Sequence, residues 1–231
     1  MRLYWHQTRN FGDAIAPAIL EHFTGERAEF AGREERGKAV STGSVIYAVR
    51  EGDAVWGAGL ISQQPVRMPI AEFAAVRGPL TRDRCGIRAG ITLGDTGLLL
   101  PLVYRPEIEK KHKLGILPHY VDKPAFGGVA PPGAHLIDVL APWRTVVDEI
   151  LSCEAVVSSS LHGIVAAEAY GVPVSWAVFG DRIIGGQFKF QDYFLGTGRP
   201  EQVPSGRLDP IGDVGSIQER LIGAMPWKKT T

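Results

Sequence analysis

Short apolar runs alternate along the chain with segments whose apolar residues recur at helical spacing. The apolar runs predict strands at 2–6, 39–41, 54–56, 73–76, 90–93, 113–117, 135–140, 154–158 and 174–179. The helical spacing predicts helices at about 13–23, 142–151, 163–170 and within 211–225. Strands that alternate with helices form mostly parallel sheets. The pattern therefore predicts an α/β fold.

A polar, basic segment at 105–113 separates two such alternating series and is typical of a hinge. Two Rossmann-like lobes, 1–110 and 111–231, fit this organisation best, with a terminal helix packed on either lobe. In that arrangement the carboxyl ends of the strands face each other, and the active site is expected in the cleft between the lobes. One continuous sheet is the alternative.

The composition narrows the class of partner. The 231 residues include 25 lysines and arginines and 25 aspartates and glutamates, so no global charge attracts nucleic acid or an acidic membrane surface. Cys85 and Cys153 lack metal-ligand spacing, which favours reduced thiols in the cytosol. The first residues do not resemble a signal peptide, and no apolar run is long enough to span a membrane. We expect a soluble, cytoplasmic protein.

The segment 153–173 carries the strongest chemical signal. A buried strand ends in Ser158, Ser159 and Ser160, and His162 and Gly163 follow where a helix begins. The first turn of a helix presents unpaired N–H groups and a partial positive charge, so this order suits an anion. A histidine there can also move a proton near neutral pH. The competing interpretation is that the serines cap the helix and His162 is a surface residue.

Other strand ends in the first half carry candidate residues. Asn10 and Asp13 precede or open a helix, where they either cap it or hold sugar hydroxyls at the mouth of the cleft. Gly57 and Gly59 follow a strand and allow a substrate or another backbone segment to come close. Arg77 ends a strand and points into the predicted cleft, where its planar fork suits phosphate or carboxylate.

Three further polar residues are candidates, and two of them have two interpretations. His119 ends a buried strand and could bind an anionic substrate, whereas a metal role lacks supporting ligands. Lys189 lies on a predicted helix and either contacts substrate charge or is solvent-exposed. Asp95 is predicted to cap a helix.

Seven motifs together resemble the polysaccharide pyruvyltransferase family, and its succinoglycan-type bacterial branch most closely. They occur in the family's order, as NFGD at 10–13, WGAGL at 56–60, VRGPLT at 76–81, GDTGLLLP at 94–101, GILPHYVD at 115–122, SSLHGIVAAEAYGVP at 159–173 and KFQDYF at 189–194. The resemblance implies a two-lobed fold like that of the GT-B glycosyltransferases. It also implies that the donor, phosphoenolpyruvate, binds between the lobes.

The resemblance implies transfer of pyruvate from phosphoenolpyruvate to a sugar of an exopolysaccharide or of its lipid-linked repeat unit, which forms a cyclic ketal and releases phosphate. His162 would be the general acid/base and Arg77 the clamp on the donor. The expected substrate-binding residues are Asn10, Asp13, Gly57, Gly59, His119, Ser159, Ser160, Gly163 and Lys189. No metal, organic cofactor or nucleic-acid partner is expected. Peripheral association with a membrane assembly machinery at the inner face of the membrane is open, as is the oligomeric state.

The chain departs from the family at Ser160, where many members have an arginine. The donor's charge would then fall to Arg77, His162, the helix N-terminus and either His119 or Lys189. Two alternatives stay open. One is a GT-B sugar-nucleotide glycosyltransferase, although no clear contacts for a base and a ribose are present. The other is a non-catalytic glycan-binding relative.

Overall fold

The computed structural model describes residues 1–8 and 10–227. Its strands are β1 (Arg2–Tyr4), β2 (Glu29–Phe30), β3 (Ala39–Ser41), β4 (Ala54–Ala58), β5 (Glu72–Val76), β6 (Thr92–Leu93), β7 (His112–Leu117), β8 (His135–Leu136), β9 (Cys153–Ser158) and β10 (Val174–Trp176). Its α-helices are α1 (Phe11–Thr24), α2 (Pro79–Arg84), α3 (Leu100–Val103), α4 (Trp143–Ser152), α5 (Leu161–Ala169), α6 (Phe188–Gly196) and α7 (Val214–Gly223). The α/β fold is confirmed, although several strands end earlier than their apolar runs.

The strands form two sheets, and the paired strands named above run parallel. The first sheet has the order β2-β1-β3-β4-β5-β6, and the second has the order β10-β9-β7-β8. The alternative of one continuous sheet is therefore wrong. The first sheet uses 2–93 and the second uses 112–176. The division into GT-B-like lobes at residue 110 stays a prediction.

Helix α1 joins the two halves of the molecule. Its face with Ile15 and Ile19 is fully buried and belongs to the same hydrophobic core as Val147 of α4 and Ile164 of α5. This core is formed by residues from both sides of the predicted boundary, so burial of apolar surface holds the two sheets in a fixed relation. The N-terminus of α1 is thereby placed beside the N-terminus of α5.

Three further properties follow from the described residues. Cys85 and Cys153 are buried and unpaired. Across 1–8 and 10–227, no helix has both the length and the hydropathy needed to cross a membrane. Over the same residues, no group of three or more histidine, cysteine, aspartate or glutamate side chains is placed to hold a metal ion.

Candidate active site

A pocket of about 430 Å³ lies at the carboxyl ends of strands from both sheets. This polar pocket is lined by His6, Thr8, Asn10, Asp13, Ser44, Tyr47, Ile61, His119, Tyr120, Ser160, Leu161, His162, Ile184 and Lys189. Six residues predicted from the sequence are among them, from Asn10 to Lys189. A larger cavity of about 520 Å³ is lined by parts of β9, β10 and 207–214 and contains none of the predicted site residues. The chemistry of the lining, rather than size, therefore identifies the candidate site.

His162 lies in the first turn of α5 and is about nine-tenths buried. Its Nε2 is 3.6 Å from Oδ2 of Asp95, whose side chain is fully buried. The other carboxylate oxygen, Oδ1, accepts the Gly97 N–H at 2.8 Å. The predicted cap at Asp95 is thus confirmed, but the sequence analysis missed its second contact. The signal available was positional, because the GDTG turn follows β6, which belongs to the same sheet as the strands before Asn10 and Ser44.

The surroundings of Asp95 favour its ionised form. Burial opposes ionisation of the carboxyl, but the nearby His162, the Arg77 guanidinium and the Gly97 N–H outweigh burial and hold the pKa of Asp95 below its usual value. A carboxylate therefore faces the imidazole of His162 from behind the pocket.

Gly12 in the first turn of α1 is required by the position of His162. A Cβ added at residue 12 would lie 2.2 Å from Nδ1 of His162, far inside van der Waals contact. Only glycine lets the start of α1 approach the imidazole this closely. The glycine of the NFGD motif is therefore explained by the histidine of the SSLHG motif.

The N-terminus of α5 opens toward the polar pocket. Ser160 occupies the N-cap position but makes no side-chain capping hydrogen bond, so the interpretation of this serine as a side-chain cap is wrong. Ser160 and the first two residues of the helix, Leu161 and His162, line the pocket. The partial positive charge of the helix start is thus directed at any anion bound there.

Ser159 does not line the pocket but supports the loop that carries His119 and Asp122. Its hydroxyl accepts the His119 N–H at 2.8 Å and donates to Asp122 Oδ2 at 2.7 Å. The imidazole of His119 does line the pocket. Burial, followed by the charges of Lys189 and His162, lowers the pKa of His119 to about 4, so this ring is neutral near pH 7. His119 can therefore hydrogen-bond a ligand there without adding positive charge.

Lys189 is a buried cation at the pocket wall. It lies in the first turn of α6 and is only 7% exposed, so the expectation of a solvent-exposed lysine is wrong. Across the described residues, no hydrogen bond or ion pair to its Nζ is formed; the nearest aromatic contact is the Phe190 ring, 5.4 Å away. Burial and, next, the charge of Arg77 lower the pKa of Lys189 to about 8, while Asp13 and Asp122 oppose this shift.

Arg77 lies beneath the pocket and does not line it. Its side chain is fully buried, and Nε donates to Asp192 Oδ2 at 3.0 Å. Nη1 donates to Ser44 Oγ at 2.9 Å, and Nη2 donates to the Leu60 carbonyl. Asp192 also accepts the Thr81 N–H at 2.9 Å and the Thr81 hydroxyl at 2.6 Å. We call Arg77, Asp192 and Thr81 the Arg77 junction. The geometry does not provide the direct donor clamp predicted for Arg77, because its guanidinium is committed to the protein.

The three predicted glycines also lie behind the pocket surface and not in its lining. A Cβ at Gly59 would lie 2.3 Å from the Arg77 guanidinium carbon, and one at Gly57 would lie 2.7 Å from Thr96. A Cβ at Gly163 would lie 2.6 Å from the Ser158 hydroxyl. Close packing within the protein, and not contact with a substrate, explains these positions.

The opposite end of the pocket is rich in hydrogen-bonding oxygens. Asp13 Oδ2 accepts the Thr8 hydroxyl at 2.7 Å and the Asn10 amide at 3.0 Å. Asn10 is the N-cap residue of α1 but makes no side-chain capping bond, and its Oδ1 is buried without a hydrogen-bond partner among the described residues. Capping alone therefore does not account for Asn10, and its oxygen is available to a ligand hydroxyl.

Comparison with known proteins relates part of the chain to one family. Residues 69–176 match the family model named polysaccharide pyruvyl transferase. The resemblance to the polysaccharide pyruvyl transferases is confirmed. The matched segment includes Arg77, Asp95, His119 and His162, whereas Lys189 lies outside it.

Two curated relatives extend the comparison. The uncharacterized protein L143 of Acanthamoeba polyphaga mimivirus is 32% identical over 163 residues, which are 65% of this chain and 57% of that protein. The succinoglycan biosynthesis protein ExoV of Rhizobium meliloti (strain 1021) is 28% identical over 144 residues, which are 58% of this chain and 44% of ExoV. The chain thus spans about half the length of the curated relatives it matches. No solved structure matches it significantly.

Proposed function

We propose that this chain transfers pyruvate from phosphoenolpyruvate to a sugar of an exopolysaccharide or of its lipid-linked repeat unit. The product is a cyclic pyruvate ketal, and phosphate is released. The family match and the distant relation to ExoV support a pyruvyl transfer role in polysaccharide biosynthesis. The donor, the ketal and the acceptor are what the resemblance to the family implies, and the polar pocket contains groups that suit them.

The observation that carries the proposal is the buried Lys189 without a partner, in the same pocket as His162 and the open start of α5. Burying an ammonium group without a counter-charge is costly, and the cost is offset when an anion binds. Phosphoenolpyruvate carries a phosphate and a carboxylate on three carbons. We place its phosphate between the Lys189 Nζ and the helix start, where both positive contributions act on one group.

The other end of the pocket suits the acceptor. The unpartnered Oδ1 of Asn10 and the carboxylate of Asp13 accept hydrogen bonds, as sugar hydroxyls require. An acceptor held there presents its hydroxyls to a donor held at Lys189 and His162. One small pocket then holds donor and acceptor close together in a fixed orientation, which favours the reaction.

The chemistry needs two proton movements. One sugar hydroxyl attacks C2 of the donor while C3 gains a proton, so that the methylene becomes a methyl group. A second hydroxyl then attacks C2, the C2–O bond to phosphate breaks, and hydrogen phosphate leaves. The two hydroxyl protons balance the one gained by C3 and the one that leaves with phosphate. We assign His162 as the general acid/base that accepts and returns these protons.

In this proposal Arg77 acts on the donor indirectly, by fixing the position of Lys189. Its ion pair with Asp192 fixes α6, and α6 carries Lys189 into the pocket. We also propose that the reaction takes place in the cytoplasm, and at the inner face of the membrane when the acceptor is lipid-linked.

Incubation with phosphoenolpyruvate and an oligosaccharide acceptor tests the proposal. We expect inorganic phosphate together with a new ketal methyl signal by NMR. His162→Ala should lower turnover by about a hundredfold or more, as removal of a positioned acid/base does. His22→Ala, at an exposed position of α1, is the matched control and should keep full activity. Turnover of a nucleotide sugar without phosphoenolpyruvate would instead establish a glycosyltransferase. Saturable glycan binding without any turnover would establish a binding protein.

A further inference from the structure

The feature of the polar pocket that the proposed chemistry leaves unexplained is the carboxylate behind His162. Asp95 is fully buried, and its Oδ2 has no hydrogen-bond partner within the described residues. The same holds for Nε2 of His162, the atom that faces it at 3.6 Å. Buried polar atoms without partners are rare, so two that face each other point to a shared role.

The geometry leaves each of these atoms only the other. Oδ1 of Asp95 is occupied by the Gly97 N–H, which fixes the carboxylate and directs Oδ2 toward the imidazole. A separation of 3.6 Å exceeds a normal hydrogen bond. Catalytic hydrogen bonds are often long without substrate and tighten when it binds. A movement of well under 1 Å closes this one.

We infer that Asp95 is a positioning residue that fixes the tautomer of His162, with the proton on Nε2 and the lone pair on Nδ1. This inference rests on the proposed pyruvyl transfer for its catalytic meaning. With Nε2 turned to Asp95, Nδ1 lies on the other edge of the ring, beside Gly12 of α1. Nδ1 is then the atom that accepts the proton of the attacking sugar hydroxyl.

The charges around the pair suit this role. When Nδ1 accepts the hydroxyl proton as the sugar oxygen bonds to C2, the imidazole becomes a cation, and the Asp95 carboxylate stabilises it while remaining ionised. The cation returns its proton first to C3 and, after the second attack, to the departing phosphate. The other titratable groups that interact with the pair are Arg77 beneath it, His119 across the pocket and the buried Tyr193. Of these, Arg77 favours an ionised Asp95.

Nitrogen-15 NMR of the imidazole groups tests the inference without any substrate, because the two neutral tautomers give different nitrogen shifts. We expect His162 of the wild-type protein to carry its proton on Nε2. In Asp95→Asn, Oδ1 can still accept the Gly97 N–H, but the amide now offers a donor to Nε2. The proton should therefore move to Nδ1, and kcat should fall by between about 10²- and 10⁴-fold with little change in KM for phosphoenolpyruvate.

Asp213→Asn is the matched control, because Asp213 also caps a helix by accepting a backbone N–H, that of Ser216 at 3.0 Å, but faces no histidine. It should change neither the tautomer nor kcat. A wild-type His162 with its proton on Nδ1 overturns the inference even if no variant folds, and so does an unchanged tautomer in Asp95→Asn. If the tautomer switches but the wild-type protein forms no ketal, the pair stands and the proposed function fails.

Discussion

The Arg77 junction and the polar pocket are both built from buried polar side chains, but only in the junction do these side chains all have hydrogen-bond partners. In the junction, Arg77 and Asp192 are fully buried and hydrogen-bonded to each other and to neighbouring groups. In the pocket, Asn10 Oδ1 and His162 Nε2 are buried without partners, and Lys189 has no counter-charge within hydrogen-bonding distance among the described residues. A buried polar group without a partner costs free energy. The difference therefore separates the groups of the junction, which stabilise the fold, from the groups of the pocket, for which we propose a ligand.

Helix α6 belongs to both regions. Asp192 joins it to Arg77, and Lys189, one turn earlier, lies at the pocket wall. Positions three apart lie on the same side of a helix, so the ion pair fixes where the lysine is held. Substitutions on either side of this helix should therefore separate stability from ligand binding.

The largest effect should come from Arg77→Met, which leaves the Asp192 carboxylate buried without its counter-charge. Breaking a buried ion pair in this way costs about 3–5 kcal/mol of unfolding free energy. Urea unfolding followed by circular dichroism measures it. Arg82→Met removes an arginine from a more exposed pair with Asp83 and should cost less than about 1 kcal/mol. Equal effects of the two substitutions would show that the junction does not stabilise the fold.

Gly12→Ala should have the largest effect on the pocket. The new Cβ overlaps Nδ1 of His162 and must displace the ring, and misplacing a catalytic group by about 1 Å costs about a hundredfold in turnover. Gly223→Ala, at a helical position with nothing within 4 Å of the new Cβ, should leave turnover unchanged. Full activity of Gly12→Ala would contradict the assignment of His162 as the acid/base.

The sequence predicted the pocket residues that follow strands directly. His119, Ser160 and His162 come after the carboxyl ends of the neighbouring strands β7 and β9, which meet at one edge of the second sheet, so their convergence follows from the order of elements. Asn10 follows β1 of the first sheet, and its place in the pocket follows from the predicted arrangement in which the strand ends of the two halves face each other. The parallel pairing follows from the same alternation of strands and helices. Local pattern is sufficient for these residues because the topology does the rest.

The sequence did not predict which charged residues are paired. Arg77 and Asp192 are 115 positions apart, and nothing in either segment indicates that they form an ion pair. The contact of Asp95 with His162 also joins residues that are far apart in the sequence. Nothing in the sequence around Lys189 indicates that this lysine is buried. Such contacts depend on how α6 and the loop after β6 pack in three dimensions, which periodicity does not encode. For the same reason the sequence could not show that Arg77 and the three glycines lie outside the pocket lining.

Lys189→Met should weaken donor binding without weakening the fold. A hydrogen bond to a charged group contributes about 1.5–3 kcal/mol, so the dissociation constant for phosphoenolpyruvate should rise by about 10- to 100-fold. Isothermal titration calorimetry measures the affinity, and urea unfolding should show no loss of stability, since an unpaired buried charge is removed. Lys113→Met, at an exposed position of β7, should change neither quantity. Unchanged affinity in Lys189→Met would place the donor elsewhere.

The smallest expected effect is that of pH on the affinity for phosphoenolpyruvate. Because burial lowers the pKa of Lys189 to about 8, the lysine loses its charge above that pH, and affinity for phosphoenolpyruvate should fall by up to about tenfold per pH unit. The phosphate stays fully ionised there, since its second pKa is about 6. The groups facing Lys189 are Arg77, Asp13, Asp122 and His119, and the pKa of His119, lowered to about 4, lies far below this range.

The stability of the free protein should change in the opposite direction. Between pH 8 and the ordinary lysine value of 10.5, the unfolded chain holds more protons than the folded one, so this lysine makes unfolding more costly as pH rises. Lys189→Arg keeps its charge throughout this range and should abolish both trends. If affinity of the wild-type protein is constant from pH 7 to 10, then Lys189 does not bind the donor, and the polar pocket is as complete without a ligand as the Arg77 junction.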